Sequence, residues 1–247
     1  MAAVSLLATR GLTRFFGGLR AVGDVDFDLP AGQIRAIIGP NGAGKTTFVS
    51  LVCGRIAPSE GRILFEDRDI TSLPPYRRVA MGIAYTFQIT SIFGNLTVYE
   101  NVALAVQNAL QRDHDAFFRI DAREMDRRCE EALERVGLAD RADTKAATLA
   151  YGHQRLLEVA MGLALSPKLL ILDEPTQGLS DHEIEGFCAL IRAIAEQATI
   201  LLIEHNMDVV MELAERITVF NNGTILSEGS PSEIRADEQV QKAYLGG

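Results

Sequence analysis

Gly39-Pro-Asn-Gly-Ala-Gly-Lys-Thr-Thr47 satisfies the pattern G-x-x-x-x-G-K-[ST], and its flanks decide what the pattern means. Upstream, Ala21 to Leu29 alternates apolar and acidic residues, the chain breaks at Pro30 to Gly32, and Ala36 to Ile38 is continuously apolar. That predicts a half-exposed strand, a turn and a fully buried strand. Downstream, Lys45 to Cys53 predicts a helix ended by Gly54. A glycine-rich turn between a buried strand and a helix lets backbone N–H groups close around phosphates, and the helix dipole favours the negative charge. On this reading Gly39, Asn41, Gly42, Ala43, Gly44 and Thr47 line the phosphates. Lys45 neutralises the β- and γ-phosphates, and the Thr46 hydroxyl ligates Mg2+. The bland alternative is a glycine-rich turn followed by an exposed lysine.

Two later segments, "KLLILDE" and "TILLIEH", lack polar alternation and read as buried strands, separated by the amphipathic helix "HEIEGFCALIRAIAEQ". Strand, helix, strand argues for right-handed parallel crossovers. The first strand ends in Asp173 and Glu174. Two adjacent carboxylates at a buried strand end are costly unless a cation or a water-filled site receives them. Beside a phosphate loop, Asp173 is a Mg2+ partner and Glu174 is placed to polarise an attacking water. Alone, such a pair is common strand-end punctuation. His205 ends the second strand, on the carboxyl edge where open α/β sheets bind ligands, with a hydrogen bond to a γ-phosphate as its expected role. A lone strand-end histidine is otherwise structural. Asn222-Gly223 between alternating runs predicts a hairpin.

The 247 residues are 47% apolar, enough for one large core or two lobes. A formal charge of -9 argues against a broad grip on nucleic acid. Cys53, Cys129 and Cys188 are few, scattered and odd in number, which suits free thiols better than a disulfide framework. Neither a leader-like N-terminus nor an apolar run long enough to span a membrane is evident, so any membrane role is expected to come through a partner.

The middle of the chain has another texture. "TVYE" from Thr97 is a capping box opening an apolar helix. "AREMDRRCEEALERVGL" carries charge on most faces and stops at Gly137. Residues from about 90 to 162 are expected to be all-helical, as a lobe inserted into an α/β core. That lobe ends with "TLAYGHQRLLEVAMG", in which Gly152 and His153 precede helically spaced apolar residues. Three readings are open there for His153: metal ligand, catalytic group or turn.

The phosphate loop, "TFQ" with Gln88, LAYGHQ, LLILDEP, GLSD and IEHNM with His205 occur in the order found in ATP-binding cassette (ABC) transporter ATPases, which the chain resembles over essentially its whole length. "RFFGGLRAV", "NLTVYENVALA", "IEHNMDVVMELAERITVFNNGTILSEGSP" and the ending "AYLGG" resemble the branched-chain amino acid uptake group, which includes importers of urea, amides and aromatic acids.

The resemblance implies an α/β fold of the P-loop nucleoside triphosphate hydrolase type, with a mainly parallel core sheet, an N-terminal antiparallel β subdomain and an inserted α-helical subdomain. Residues 1–88 and 163–247 would form the ATP-binding core, and 89–162 the helical part. It implies ATP and Mg2+ as cofactors and catalysis by Lys45, Gln88, Glu174 and His205. Gln88 would also contact the metal with Thr46 and Asp173. Phe16, with Phe15 as the fallback, would stack on adenine unless it is simple core. A second ATPase subunit, identical or related, would be closed in trans by Ala150, Tyr151 and Gly152. The surface from Gln88 to Asn101 would receive an integral-membrane permease, with an extracytoplasmic solute-binding protein acting indirectly and the ATPase on the cytoplasmic face. His153 then belongs to a clamp, not to a metal site.

Two departures stand out. The family's LSGGQ is Leu149-Ala-Tyr-Gly-His153 here, so the serine hydroxyl is missing at Ala150, leaving Gly152 and the helix N-terminus as donors. Ser180 stands where the family carries aspartate, which puts communication between sites in question. The rival classes are a soluble ABC ATPase uncoupled from transport and a scaffold that holds ATP without hydrolysing it.

Overall fold

The computed structural model describes residues 5–86, 92–113 and 121–245. In chain order the strands are β1 (Ser5–Phe16), β2 (Leu19–Pro30), β3 (Ile34–Ile38), β4 (Glu60–Phe65), β5 (Arg68–Asp69), β6 (Ile83–Thr86), β7 (Leu169–Asp173), β8 (Thr199–Ile203), β9 (Arg216–Asn221) and β10 (Thr224–Gly229). The helices are α1 (Lys45–Val52), α2 (Pro75–Ala80), α3 (Val98–Asp113), α4 (Ala122–Arg135), α5 (Tyr151–Ala164), α6 (Asp181–Ala195), α7 (Met207–Leu213), α8 (Pro231–Ala236) and α9 (Glu238–Leu245). The chain divides into two compact units, 1–78 with 194–247, and 79–193. Among the described residues no helix is long and apolar enough to cross a membrane.

The first unit holds an antiparallel sheet in the order β2-β1-β4-β5 and the strands β10-β9-β3-β8. β3 runs parallel to both neighbours, Ile37 facing Ile203 of β8 and Thr218 of β9. All five residues of β3 and of β8 are buried, as strands covered on both faces must be. Arg35 is the polar inclusion: its guanidinium donates to Thr218 Oγ1 at 2.9 Å and Glu228 Oε1 at 2.7 Å. α1 rests on this framework through Phe48, whose ring lies 5.3 Å from Phe27 of β2 and 5.2 Å from Phe220 of β9. Burying such a ring is worth about 1.5–3 kcal/mol, which fixes the helix carrying the phosphate loop.

In the second unit β6 and β7 pair in parallel from Ile83–Leu169 to Thr86–Leu172. α3, α4 and α5 pack on one another. The capping box of α3 is complete: Glu100 N donates to Thr97 Oγ1 at 3.0 Å and Thr97 N to Glu100 Oε2 at 2.7 Å. α4 is less solvated than its charge suggests. Arg127 and Arg128 bond Glu124 on its outer side, yet Cys129, Ala132 and Leu133 are buried. The units divide elsewhere than the change of texture at 88/89 and 162/163, because β6 and β7 pair within the unit that holds the helices.

Candidate nucleotide site

The phosphate loop follows β3 directly. Gly39, Gly42 and Gly44 take φ of 151°, 80° and 100°, conformations that side chains rarely adopt. A Cβ on Gly39 would lie 2.2 Å from Phe220 O, and one on Gly44 2.5 Å from Ala21 O. The loop is braced from outside by the predicted hairpin. Asn222 and Gly223 take φ of 48° and 79°, a tight Asn-Gly turn. From that turn Gly223 N donates to Ala43 O at 2.9 Å, while Gly23 N donates to Gly223 O at 2.8 Å.

Lys45 opens α1 and is only 8% exposed. Its Nζ folds back over the loop, donating to Gly39 O at 2.6 Å and Pro40 O at 3.1 Å. No side chain caps α1, so its first N–H groups are not claimed by a cap. Asn41 and Thr46 are exposed, and Thr47 is half-buried. A tight glycine cradle, an inward ammonium, a helix start and an exposed hydroxyl together fit a polyphosphate and an oxygen-loving cation.

In the same unit His205 follows β8 with its side chain 59% exposed. Its backbone is fixed by Glu204, which is buried and whose Oε2 accepts from His205 N at 2.9 Å and Asn206 N at 3.0 Å. Sequence reading missed Glu204, although a second carboxylate at a buried strand end repeats the signal seen at Asp173. Phe15 and Phe16 are 40% and 45% exposed at the end of β1, so neither is core. Arg14 covers the Phe16 ring at 4.7 Å.

The second unit carries the other motifs. Asp173 ends β7 and is buried, while Glu174 leaves the strand at φ 48°, turning the chain sharply at that carboxylate. Tyr85, on the neighbouring strand and missed by sequence reading, donates its hydroxyl to Asp173 Oδ2 at 2.8 Å. Gln88 and residues 87–91 lie outside the described residues. Beyond them Phe93 is 55% exposed and Asn101 is fully buried. Asn101 therefore does not face outward; it accepts from Phe93 N at 2.8 Å and donates to Phe93 O and Thr97 O, shaping the loop from within. That loop is bonded to the approach to α5: Ala147 N to Gly94 O, Ala146 N to Leu96 O, Val98 N to Thr144 O and Tyr99 N to Ala142 O, all 2.9–3.0 Å.

Ala150 is the N-cap of α5 and supplies no side-chain bond. Tyr151 is exposed, accepts from Arg155 Nη2 at 2.9 Å, and leans on the next turn of chain: a Cβ on Gly178 would lie 2.9 Å from its ring. Arg155 in turn forms a buried ion pair with Glu158 at 2.9 Å. Gly152 is buried against Glu183, where a Cβ would meet Oε1 at 2.3 Å. His153 sits in the first turn with Nδ1 buried and without a hydrogen-bond partner among the described residues. No group of three or more His, Cys, Asp or Glu that could hold a metal occurs among them. Ser180 N and Oγ both donate to Glu183 Oε2, at 2.8 and 2.7 Å, and hold that carboxyl below the usual carboxylate range. Ser180 thus serves the start of α6.

A phosphate cradle with a buried lysine, a strand-end Asp-Glu pair and a glycine-bearing helix entrance define a nucleotide-binding cassette ATPase. The chain belongs to the ABC transporter family, whose model matches residues 22–177, and a model described as branched-chain amino acid ATP-binding cassette transporter matches residues 224–247. The chain is 41% identical to the high-affinity branched-chain amino acid transport ATP-binding protein LivG of Salmonella typhimurium, over 98% of each chain. It is 39% identical to BraF of Pseudomonas aeruginosa, described in the same words, again over 98% of each. An ATP-binding cassette of an ABC transporter solved in its ADP conformation is similar with a TM-score of 0.86 and 27% identity, over 98% of this chain and 99% of that one. The sequence reading of family and of fold agrees with these matches.

Proposed function

We propose that the chain powers an importer of branched-chain amino acids or of related small solutes such as urea, amides and aromatic acids. The observation that carries this reading is the likeness to LivG and BraF from end to end, the C-terminal segment included. The ATPase would lie on the cytoplasmic face, held to permease subunits through the region from Gln88 to Asn101, with Phe93 as its exposed apolar contact. It would pair with a second ATPase, identical or related, and serve an extracytoplasmic solute-binding protein indirectly; no nucleic acid is involved. The functional division is 1–88 and 163–247 for the ATP-binding core, 89–162 for the helical part.

In the proposed reaction Lys45 balances the charge of the β- and γ-phosphates, and the backbone N–H groups of the loop from Gly39 to Thr47, Pro40 excepted, hold them in place. Phe16 is the adenine platform. Thr46, Gln88 and Asp173 would hold Mg2+, which when bound neutralises charge on phosphate oxygens. Glu174 orients the attacking water and draws off its proton, while His205 donates to the γ-phosphate. Ala150, Tyr151 and Gly152 close the partner's nucleotide with backbone donors. Glu174→Gln keeps the side chain's size and removes its basicity. Phosphate release is expected to fall at least about 100-fold with ATP affinity unchanged, and turnover at the wild-type rate would overturn the assignment.

A further inference from the structure

Tyr85 faces Ile171 in the parallel pairing of β6 with β7. Side chains two residues apart on a strand share a face, so Asp173 lies on the same face as Tyr85 and one step further along. The phenol spans that step and bonds Asp173 Oδ2 at 2.8 Å. Four consecutive strand pairs set the spacing of the two residues, so the backbone and not a flexible loop holds the contact.

We propose that Tyr85 is a positioning residue for the cation that accompanies the nucleotide, acting through the Asp173 carboxylate. The proposal rests on the reading of Asp173 as a ligand of that cation. A carboxylate that binds metal needs its plane fixed by an outer donor, and such donors are worth about 10–100-fold in metal affinity. A phenol suits the task better than lysine or arginine, because it orients the carboxylate without cancelling the charge that attracts the cation. In sequence Tyr85 stands three residues before Gln88, another ligand expected from the resemblance.

The test replaces Tyr85 by Phe, removing the hydroxyl and keeping the ring. Mn2+ serves as the probe, its free concentration read by electron paramagnetic resonance during titration of the full chain with a non-hydrolysable ATP analogue. A fluorescent ATP analogue in excess chelator gives metal-free affinity. Tyr85→Phe is expected to weaken Mn2+ binding about 10-fold and to leave metal-free nucleotide affinity unchanged. Unchanged Mn2+ affinity, or an equal loss of metal-free binding, overturns the proposal. Asp173→Asn is measured alongside. If it too leaves Mn2+ affinity intact, the reading of Asp173 fails; if it weakens Mn2+ while Tyr85→Phe does not, only the role of Tyr85 falls.

Discussion

Arg78 is the largest fully buried side chain among the described residues, and its charge goes to main-chain carbonyls. Nη1 donates to Leu51 O and Val52 O at 2.7 Å, Nε to Leu73 O at 3.0 Å, and Nη2 to Thr71 O at 2.9 Å. Two of these are terminal carbonyls of α1, a helix without a basic residue in its last turn, so Arg78 supplies the cation its dipole lacks. Burial pushes the Arg78 pKa down from its usual value. Arg78→Met should lower stability by about 3 kcal/mol, read from the urea midpoint, because Leu51 O keeps its bond from Gly54 N at 3.0 Å while the other carbonyls lose the guanidinium donor. Arg78→Lys should recover part of it, and an unchanged midpoint for Arg78→Met would refute the role. Nothing in "PPYRR" distinguishes Arg78 from Arg77, since the partners lie up to 27 residues away. Lys45 and Thr46 stand out in sequence for the opposite reason: a loop that must admit phosphate restricts a run of neighbouring residues at once, so the pattern needs no distant partner.

At the scale of elements, α5 begins at a position that most helices fill with a hydroxyl or a carboxamide. Ala150 leaves that cap empty, while α7 is capped by Asn206 and α8 by a full Ser230–Glu233 box. Ala150→Ser should add about 1 kcal/mol of stability in chemical denaturation. The same hydroxyl, aimed at a partner's nucleotide, should tighten ATP-dependent pairing in sedimentation of the Glu174→Gln background. A gain in stability without tighter pairing would mean that backbone donors already suffice at the clamp. Strands β3, β7 and β8 were evident as apolar runs, whereas β1 was not read as a strand at all. "SLLATRGLTRFF" bulges between Thr9 and Leu12 and again near Arg14, with Gly11 at φ 59°, and each bulge resets the alternation that reveals a strand.

For the molecule as a whole, the order of the motifs pointed to the family, while the compact units at 1–78 with 194–247 and 79–193 follow strand pairing. Strand pairing across 86 residues, as between Ile83 and Leu169, leaves no local trace in sequence. Phe93 belongs to this scale because its ring is exposed in a loop whose backbone is fixed. Phe93→Glu should abolish co-purification with permease subunits from membranes and leave ATPase activity of the isolated chain unaltered. Retained co-purification would move the docking surface elsewhere. A hydrogen-bonded seam joins residues 94–99 to 142–147 behind that ring. It ties the loop to the threshold of α5, so a force applied at Phe93 would reach the residues before Ala150 through main-chain bonds and not through a slack tether.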